Sequence, residues 1–369
     1  MIRVLNLFTI MNRGGAETMV MNYYRHIDRS KVQFDFMVHR EERGAYDDEI
    51  EALGGRIFRM PSIRPWKSSS YRKMVAEFYK AHPEYKVIHS HMSELGYYDF
   101  LEAEKAGVPV RISHAHNRPH GVDLKSPMRW YYKTKMLPHA THMFMCGEES
   151  GDWLFGKKNR ERFIFLKNAV DSEAFDFDPG KRKEIRKALG VDNEFVIGHV
   201  GRFDKQKNHK FILEVFCEVL KKELSAVLLL VGDDSGSLGK EIRSLVKKLD
   251  LDDRVRFLGV RSDVSDLMQA MDVFLFPSLF EGFGIVALEA QASGLPCVVS
   301  EFIPDECAAT DLLHRISLKR EKEYWADEVL KAAEVTRKSM RREIIRSGFD
   351  IKENAKWLQD FYLSFDKGE

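Results

Sequence analysis

The sequence predicts an α/β protein built from two parallel-sheet domains, and three observations carry that prediction. Short apolar runs alternate with helical segments along most of the chain, the signature of parallel strands covered by helices on both faces. The alternation restarts near residue 195, after a polar stretch. The length of 369 residues suits two domains better than one hydrophobic core. Ligands of such sheets bind beyond the carboxyl ends of the strands, so the turns there are where function is sought.

In the first half, Val4–Phe8 reads as a buried strand. It runs into Met11-Asn-Arg-Gly-Gly-Ala-Glu17 and then a helix through about His26. Gly14 and Gly15 let a ligand approach the backbone, and a helix start there offers free amides. Strand-like Phe34–Val38, helical Tyr46–Leu53, the short strand Arg56–Met60 and the helix Tyr71–His82 follow. Next come the strand Val87–His91, the helix Tyr97–Ala106 stopped by Gly107, and the strand Val110–His114. His142–Cys146 and Phe163–Leu166 read as the last strands of this half. Asn168-Ala-Val-Asp171 and the polar segment 172–182 mark the junction. Domains are expected at 1–175 and 176–350, with a terminal helix over 351–369.

The second half restarts with the strand Phe195–Val200, the loop Gly201-Arg-Phe-Asp-Lys-Gln-Lys207-Asn208 and the helix Lys210–Lys222. Ala226–Gly232 and Arg254–Leu258 are strands, the latter followed by Gly259-Val-Arg261-Ser262. Leu267–Ala270 leads to the buried strand Val273–Phe276. Pro277 and Ser278 close that strand, Glu281-Gly-Phe-Gly284 turns, and Ile285 opens a helix ending near Gly294. The segment Ile303–Glu306 and Ile316–Leu318 end the sheet. The last helix, Asn354–Phe365, carries Trp357, Leu358, Phe361 and Tyr362 at helical spacing, a packing stripe.

The strand–turn–helix around Glu281 carries the chemistry. A helix N-terminus preceded by glycines binds anions, phosphate above all. Glu281 and Glu289 frame that turn and suit sugar hydroxyls, as acceptors of charge-assisted hydrogen bonds. Phosphate flanked by hydroxyls describes a nucleotide sugar. Arg202 and Lys207, at the edge of the neighbouring strand, complete a pyrophosphate clamp. Arg261 lies in a loop suited to base contacts.

His89 and His91, then His114 and His116 with Asn117, lie at the ends of successive strands. A lone histidine is usually structural; two pairs beside a candidate site point to function. Histidine pairs can ligate zinc, but no carboxylate or cysteine accompanies them, and no metal is expected. Asp176-Phe-Asp178 and Asp250-Leu-Asp252 lie in connections and are not read as metal motifs. Two basic stretches interleave aromatics. Residues 56–86 hold eight Lys or Arg with Trp66, Tyr71, Phe78 and Tyr79. Residues 111–142 hold six, against Asp123 alone, with Trp130, Tyr131 and Tyr132. They suit anionic lipid headgroups better than nucleic acid, for which no motif is present.

Composition bounds the rest. With 44% hydrophobic and 31% charged residues the chain is ordinary globular protein, and net charge +1 implies no whole-chain polyanion binding. Cys146, Cys217, Cys297 and Cys307 form no Cys-x-x-Cys pair and fit a reducing compartment. No apolar run approaches the ~20 residues that span a bilayer, and the chain starts on a strand without a signal-peptide layout. A cytoplasmic protein is expected, in reach of the inner face of the plasma membrane.

The pairing of Glu281-x7-Glu289 with Gly201-Arg202-x4-Lys207-Asn208 resembles the retaining glycosyltransferase family 4, also called glycosyl transferases group 1, of the GT-B fold. The resemblance extends to Gly14-Gly15-Ala16-Glu17, Asn168-Ala-Val-Asp171 and Asp272–Gly294 with Pro296. Arg111-Ile-Ser-His-Ala-His-Asn117 and Ile303-Pro304 resemble enzymes of bacterial exopolysaccharide or capsule assembly. The resemblance implies two facing Rossmann-like domains with a cleft between, acceptor-binding first and nucleotide-sugar-binding second. It also implies a C-terminal helix that crosses back to the first domain.

By that resemblance, Arg202 and Lys207 neutralise the donor diphosphate and Glu289 holds the ribose hydroxyls. Glu281, with the amides of Gly282, Phe283, Gly284 and Ile285, contacts the donor sugar and distal phosphate. His114 or His116 faces the reacting sugar; the doubled histidine leaves the two open. After Ser300 the chain reads Glu301-Phe-Ile-Pro instead of the family's acidic-Gly pattern. The implied activity is metal-independent, cofactor-free transfer of a hexose or N-acetylhexosamine, with retention by front-face attack. The donor is a UDP-sugar, with GDP-mannose as alternative; the acceptor is a saccharide or lipid-linked saccharide in surface polysaccharide synthesis. A sugar-nucleotide epimerase and an inactive scaffold subunit stand as competing readings. Paired carboxylates also fit a glycosidase, which has no need of a phosphate clamp.

Overall fold

A computed structural model describes residues 1–63, 68–117, 124 and 126–366. Trp66 and Asp123, with Arg64, Lys67, Arg118 and Lys125 of the two basic stretches, lie outside the described residues. The chain divides into two units, one of Met1–Ala169 with Ile351–Glu369 and one of Val170–Asp350. The division falls at Ala169 rather than at residue 175, because Val170 already bridges to Asp350 of the second unit.

The first unit alternates strands and helices: β1 (Ile2–Phe8), α1 (Gly15–His26), β2 (Val32–Val38), α2 (Asp47–Ala52) and β3 (Ile57–Arg59). It continues through α3 (Ser68–Ala81), β4 (Val87–Ser90), α4 (Tyr97–Lys105), β5 (Val110–Ala115) and α5 (Ser126–Met136). β6 (His142–Met145), α6 (Glu148–Phe155) and β7 (Phe163–Phe165) complete the sheet. Its seven strands run in the order β3-β2-β1-β4-β5-β6-β7, all parallel. β2 and β4 are buried along their whole length, the polar side chains Gln33 and Asp35 of β2 and His89 and Ser90 of β4 included, as befits parallel strands covered on both faces.

The second unit comprises α7 (Pro179–Leu189), β8 (Phe195–Val200), α8 (His209–Leu220), β9 (Ala226–Val231), α9 (Ser237–Lys248) and β10 (Val255–Gly259). α10 (Val264–Ala270), β11 (Val273–Phe276), α11 (Ile285–Ala292), β12 (Cys297–Ser300) and β13 (Leu313–Ile316) follow, then α12 (Lys322–Ala332) and α13 (Arg341–Arg346). Its six parallel strands are ordered β10-β9-β8-β11-β12-β13. Both units thus place the order reversal beside their first strand, between β1 and β4 and between β8 and β11. That switch point is where doubly wound sheets bind ligands.

The last helix, α14 (Ile351–Leu363), belongs to the first unit. Leu358 and Tyr362 are buried there, and Tyr362 meets Phe34 of β2 edge-on at 5.9 Å. The expected stripe splits, however: Trp357 is 46% exposed.

Two further expectations are corrected, and four elements were not foreseen. The polar segment 172–182 is not a plain linker, since α7 begins within it: Asp178 caps that helix by accepting from the amides of Gly180 (2.7 Å) and Lys181 (3.2 Å). The final strand spans Leu313–Ile316 rather than 316–318, its register set by pairing with β12. The strand Cys297–Ser300 and the helices α5, α6 and α9 have no counterpart in the sequence reading. Among the described residues no helix is long and apolar enough to cross a membrane.

Candidate active site

The second unit builds its site where β8 and β11 end. Gly201 follows β8, and a Cβ there would stand 3.1 Å from Lys207 Cγ and 3.2 Å from His199 Nε2. Glycine is what lets the Lys207 side chain pass. Lys205–Lys207 form a short 3₁₀ turn capped by Asp204. That loop is stitched to the one after β11 by three hydrogen bonds. Leu279 N donates to Gln206 O (2.8 Å), Gln206 Nε2 to Phe280 O (2.8 Å) and Asn208 Nδ2 to Pro277 O (3.2 Å).

The stitching brings Lys207 Nζ to 2.6 Å from Glu281 Oε1, with side chains only 13% and 8% exposed. The ammonium also lies 4.6 Å from the centroid of the Phe276 ring, a cation–π contact. An ammonium carries three donors, so the pair leaves Lys207 with N–H groups for a further anion. Gly284 caps α11 at φ 84°, a left-handed conformation that favours glycine, and turns the chain into the helix. Glu289 is buried within α11.

Not every expected donor contact is presented alike. Phe283 turns its side chain into the core, 5.7 Å from Phe349, which leaves its backbone for a ligand. Arg261 is held by Asp263 two residues on, at 2.6 and 2.8 Å. Arg202 is 65% exposed beside Asp204 at 3.7 Å, so Lys207 is the buried member of the expected clamp. Sequence reasoning passed over His199 and His209. His209 stacks on Phe203 at 4.0 Å, and burial, with the Lys207 charge, pushes it down to about 4. Neither of its ring nitrogens has a hydrogen-bond partner among the described residues.

In the first unit, Gly14 caps α1 with an ordinary φ of −107°. A Cβ there would come within 2.3 Å of Glu17 Oε2, whereas one on Gly15 would meet nothing within 4 Å. Neither backbone conformation nor a fixed neighbour demands glycine at 14, since the Glu17 carboxylate can turn aside, and the backbone at 15 is open to a ligand.

At the ends of β4 and β5, His89, His91, His114 and His116 are all buried. Burial drives their pKa values down, His116 to about 3, so all four are neutral near pH 7. The ring nitrogens of His89, His91 and His114 approach within 4.8 Å of one another. Every one of those nitrogens except His114 Nε2 is already in a hydrogen bond. A metal would have to break those bonds. Two of the partners, Asn6 of β1 and Tyr362 of α14, carried no sequence signal beyond apolar packing.

Among the described residues, several cations of the basic stretches are engaged. Arg59 pairs with Asp47, Arg72 with Glu102, and Arg129 approaches Glu94 at 3.8 Å. Lys133 donates to Trp153 O at 2.6 Å. Trp130 and Tyr131 are 66% and 48% exposed.

Comparison with known proteins places this architecture. The model of "Glycosyltransferase Family 4" matches residues 13–174, and that of "Glycosyl transferases group 1" matches residues 181–312. The chain is 38% identical over 376 residues to the putative glycosyltransferase EpsF of Bacillus subtilis, covering 98% of this chain and 96% of that protein. It is 26% identical to the Escherichia coli UDP-Gal:alpha-D-GlcNAc-diphosphoundecaprenol alpha-1,3-galactosyltransferase, over 90% of this chain and 89% of that one. Among solved structures, Anabaena HepE in complex with UDP-glucose superposes with a TM-score of 0.78 at 20% identity, covering 99% of this chain and all (100%) of that one. Twin Rossmann-like sheets and these matches together make the chain a member of the family 4 (group 1) glycosyltransferases, with the GT-B fold.

Proposed function

We propose that the protein transfers a hexosyl or N-acetylhexosaminyl group from a UDP-sugar to a saccharide or lipid-linked saccharide, with retention and without a metal, in surface polysaccharide synthesis. GDP-mannose is the alternative donor. The observation that carries the reading is the buried Lys207–Glu281 pair at 2.6 Å, fixed beside the glycine turn that opens α11. The named activities of the relatives support the donor and acceptor classes: a UDP-galactose donor and a diphosphoundecaprenol acceptor for the E. coli protein, and UDP-glucose bound to HepE.

In this reading the diphosphate joins an ion pair that exists before it arrives. Lys207, with Arg202 reaching in from solvent and the amides of 282–285, meets the charge that builds on the departing phosphate. Preorganised donors are worth most where charge develops in the transition state. Glu289 accepts from the ribose hydroxyls and Glu281 from the donor sugar. The acceptor hydroxyl attacks the anomeric carbon on the face the diphosphate leaves, and its proton passes to the leaving phosphate oxygen. His114 or His116 hydrogen-bonds the reacting sugar. Trp130 and Tyr131 on α5 give the first unit an aromatic face for a membrane interface.

The test is transfer itself. UDP-sugars and GDP-mannose are incubated with lipid diphosphate-linked sugars in EDTA, and the product linkage is read by mass spectrometry and NMR. An α-linked product from an α-linked donor, formed in EDTA, is expected. Transfer that requires added divalent metal, or an inverted product, contradicts the proposal.

A further inference from the structure

The four histidines at the ends of β4 and β5 form two separate hydrogen-bonded pairs. In one, His89 Nδ1 lies 2.7 Å from Tyr362 Oη and His89 Nε2 lies 3.2 Å from His114 Nδ1. In the other, His91 Nδ1 lies 2.8 Å from His116 Nε2 and His91 Nε2 lies 3.3 Å from Asn6 Oδ1. All of these groups are buried, and buried polar hydrogens need acceptors. That demand assigns the protons.

In the first pair, if Tyr362 donates to His89 Nδ1, then His89 carries its proton on Nε2 and donates to His114 Nδ1. His114 is then protonated on Nε2, and that N–H is the one group left over. If the chain ran the other way, two groups would be stranded: the Tyr362 hydroxyl proton, which has no other acceptor among the described residues, and the lone pair of His114 Nε2. The first direction strands fewer groups. In the second pair, Asn6 Nδ2 faces the carbonyls of Val4 and Asp35, each at 3.5 Å, so its Oδ1 accepts from His91 Nε2. His91 Nδ1 must then accept from His116 Nε2. The two histidines of Ser-His-Ala-His are therefore not equivalent. His116 spends its proton inward on His91, and His114 keeps an uncommitted N–H.

We propose that Tyr362, on the C-terminal helix, is a positioning residue that acts through His89 to hold His114 in its Nε2-protonated form, so that His114 meets the donor sugar as a hydrogen-bond donor. The part about the sugar rests on the functional reading above; the tautomer assignment does not. Burial, which keeps all four rings neutral, is what lets tautomer rather than charge carry the information. The helix that follows the second unit thus completes a site in the first.

The experiment is long-range ¹H–¹⁵N correlation on full-length protein labelled with ¹⁵N-histidine, in wild type and Tyr362→Phe, with signals assigned through His89→Gln and His114→Gln. Wild type is expected to show His89 and His114 protonated on Nε2. Tyr362→Phe keeps the ring and the packing and removes only the hydroxyl, so His114 should become a mixture of tautomers while the fold persists. In the transfer assay the same variant should lose at least tenfold in kcat with KM within about threefold. A wild-type His114 protonated on Nδ1 would overturn the assignment; it would mean that another acceptor, such as a water in the cavity of about 10 Å³ beside Asn6, His91 and Tyr362, takes the Tyr362 proton. An unchanged His114 in Tyr362→Phe would overturn it as well. So would stoichiometric zinc found by elemental analysis and lost in His89→Gln. A tautomer shift with unchanged transfer kinetics would leave the relay standing and overturn the placement of His114 at the sugar.

Discussion

Lys207 and Glu281 are 74 positions apart, yet the sequence places their two loops side by side. Each sits in a glycine-bearing turn just past an apolar run, and in a doubly wound sheet such turns share one edge. What could not be read is the state of each side chain. Both Arg202 and Lys207 read as loop cations in sequence, but one is exposed and the other buried, because only Lys207 closes the 3₁₀ turn, its side chain passing over Gly201. His209 was invisible for a similar reason: nothing in sequence says that a histidine will stack on Phe203 with neither nitrogen partnered among the described residues. Its consequence is measurable. An unfolded histidine titrates near 6.5, and folded His209 near 4. Below pH 6.5 the unfolded chain takes up a proton that the folded chain refuses. Stability is therefore fully present above about pH 6.5 and falls as pH drops toward 4, by up to about 1.4 kcal/mol per unit for this residue. His209→Leu breaks no hydrogen bond among the described residues. Urea unfolding of the variant between pH 7 and 5 should show a shallower pH slope than wild type; an equal slope would contradict the burial argument.

Most strands were legible, and polar helices were read unevenly: α2 was expected and α7 was not. A buried parallel strand with a clear apolar run reads directly; β12, only Cys297-Val-Val-Ser300 between Pro296 and Glu301, did not. α7 is rich in lysine and arginine and starts at Asp178-Pro179-Gly180, which reads as a turn. In the structure proline occupies the first helical turn, where its missing N–H costs nothing, and Asp178 caps it. Asp178→Ala should cost about 1 kcal/mol, read as a lowered midpoint in urea with unchanged slope; no change would mean the cap does not hold α7. α5 poses a different question. Arg129 and Lys133 turn inward to Glu94 and Trp153 O, while Lys135 stays exposed beside Tyr131, so the exposed face joins Trp130 and Tyr131 to a single cation among the described residues. Membrane attachment through it should respond weakly to salt. In co-sedimentation with vesicles containing anionic lipid, Trp130→Ala should release the protein, whereas raising salt should release little. Release by salt alone would put the attachment on charge instead.

At the scale of the molecule, alternation of strands and helices announced two parallel sheets, and the restart near residue 195 separated them. Strand order was beyond reach, because parallel neighbours are joined by long crossovers and pairing is decided by packing far along the chain. The structure supplies it: the same reversal in both units, beside β1 in one and β8 in the other, with the glycine turns and the histidine pairs at those edges. The helix at 351–363 could be read as apolar packing, but its Tyr362 hydroxyl could not be read as a partner of His89. The account's central claim is that the edge of β8 and β11 binds a nucleotide diphosphate through Lys207. Calorimetric titration with UDP and with uridine, in EDTA, tests it most directly. UDP should bind wild type far more tightly than uridine, and Lys207→Met should lose at least tenfold in UDP affinity, about 1.4 kcal/mol, while uridine binding stays within about twofold. UDP binding to folded Lys207→Met with wild-type affinity would contradict the claim.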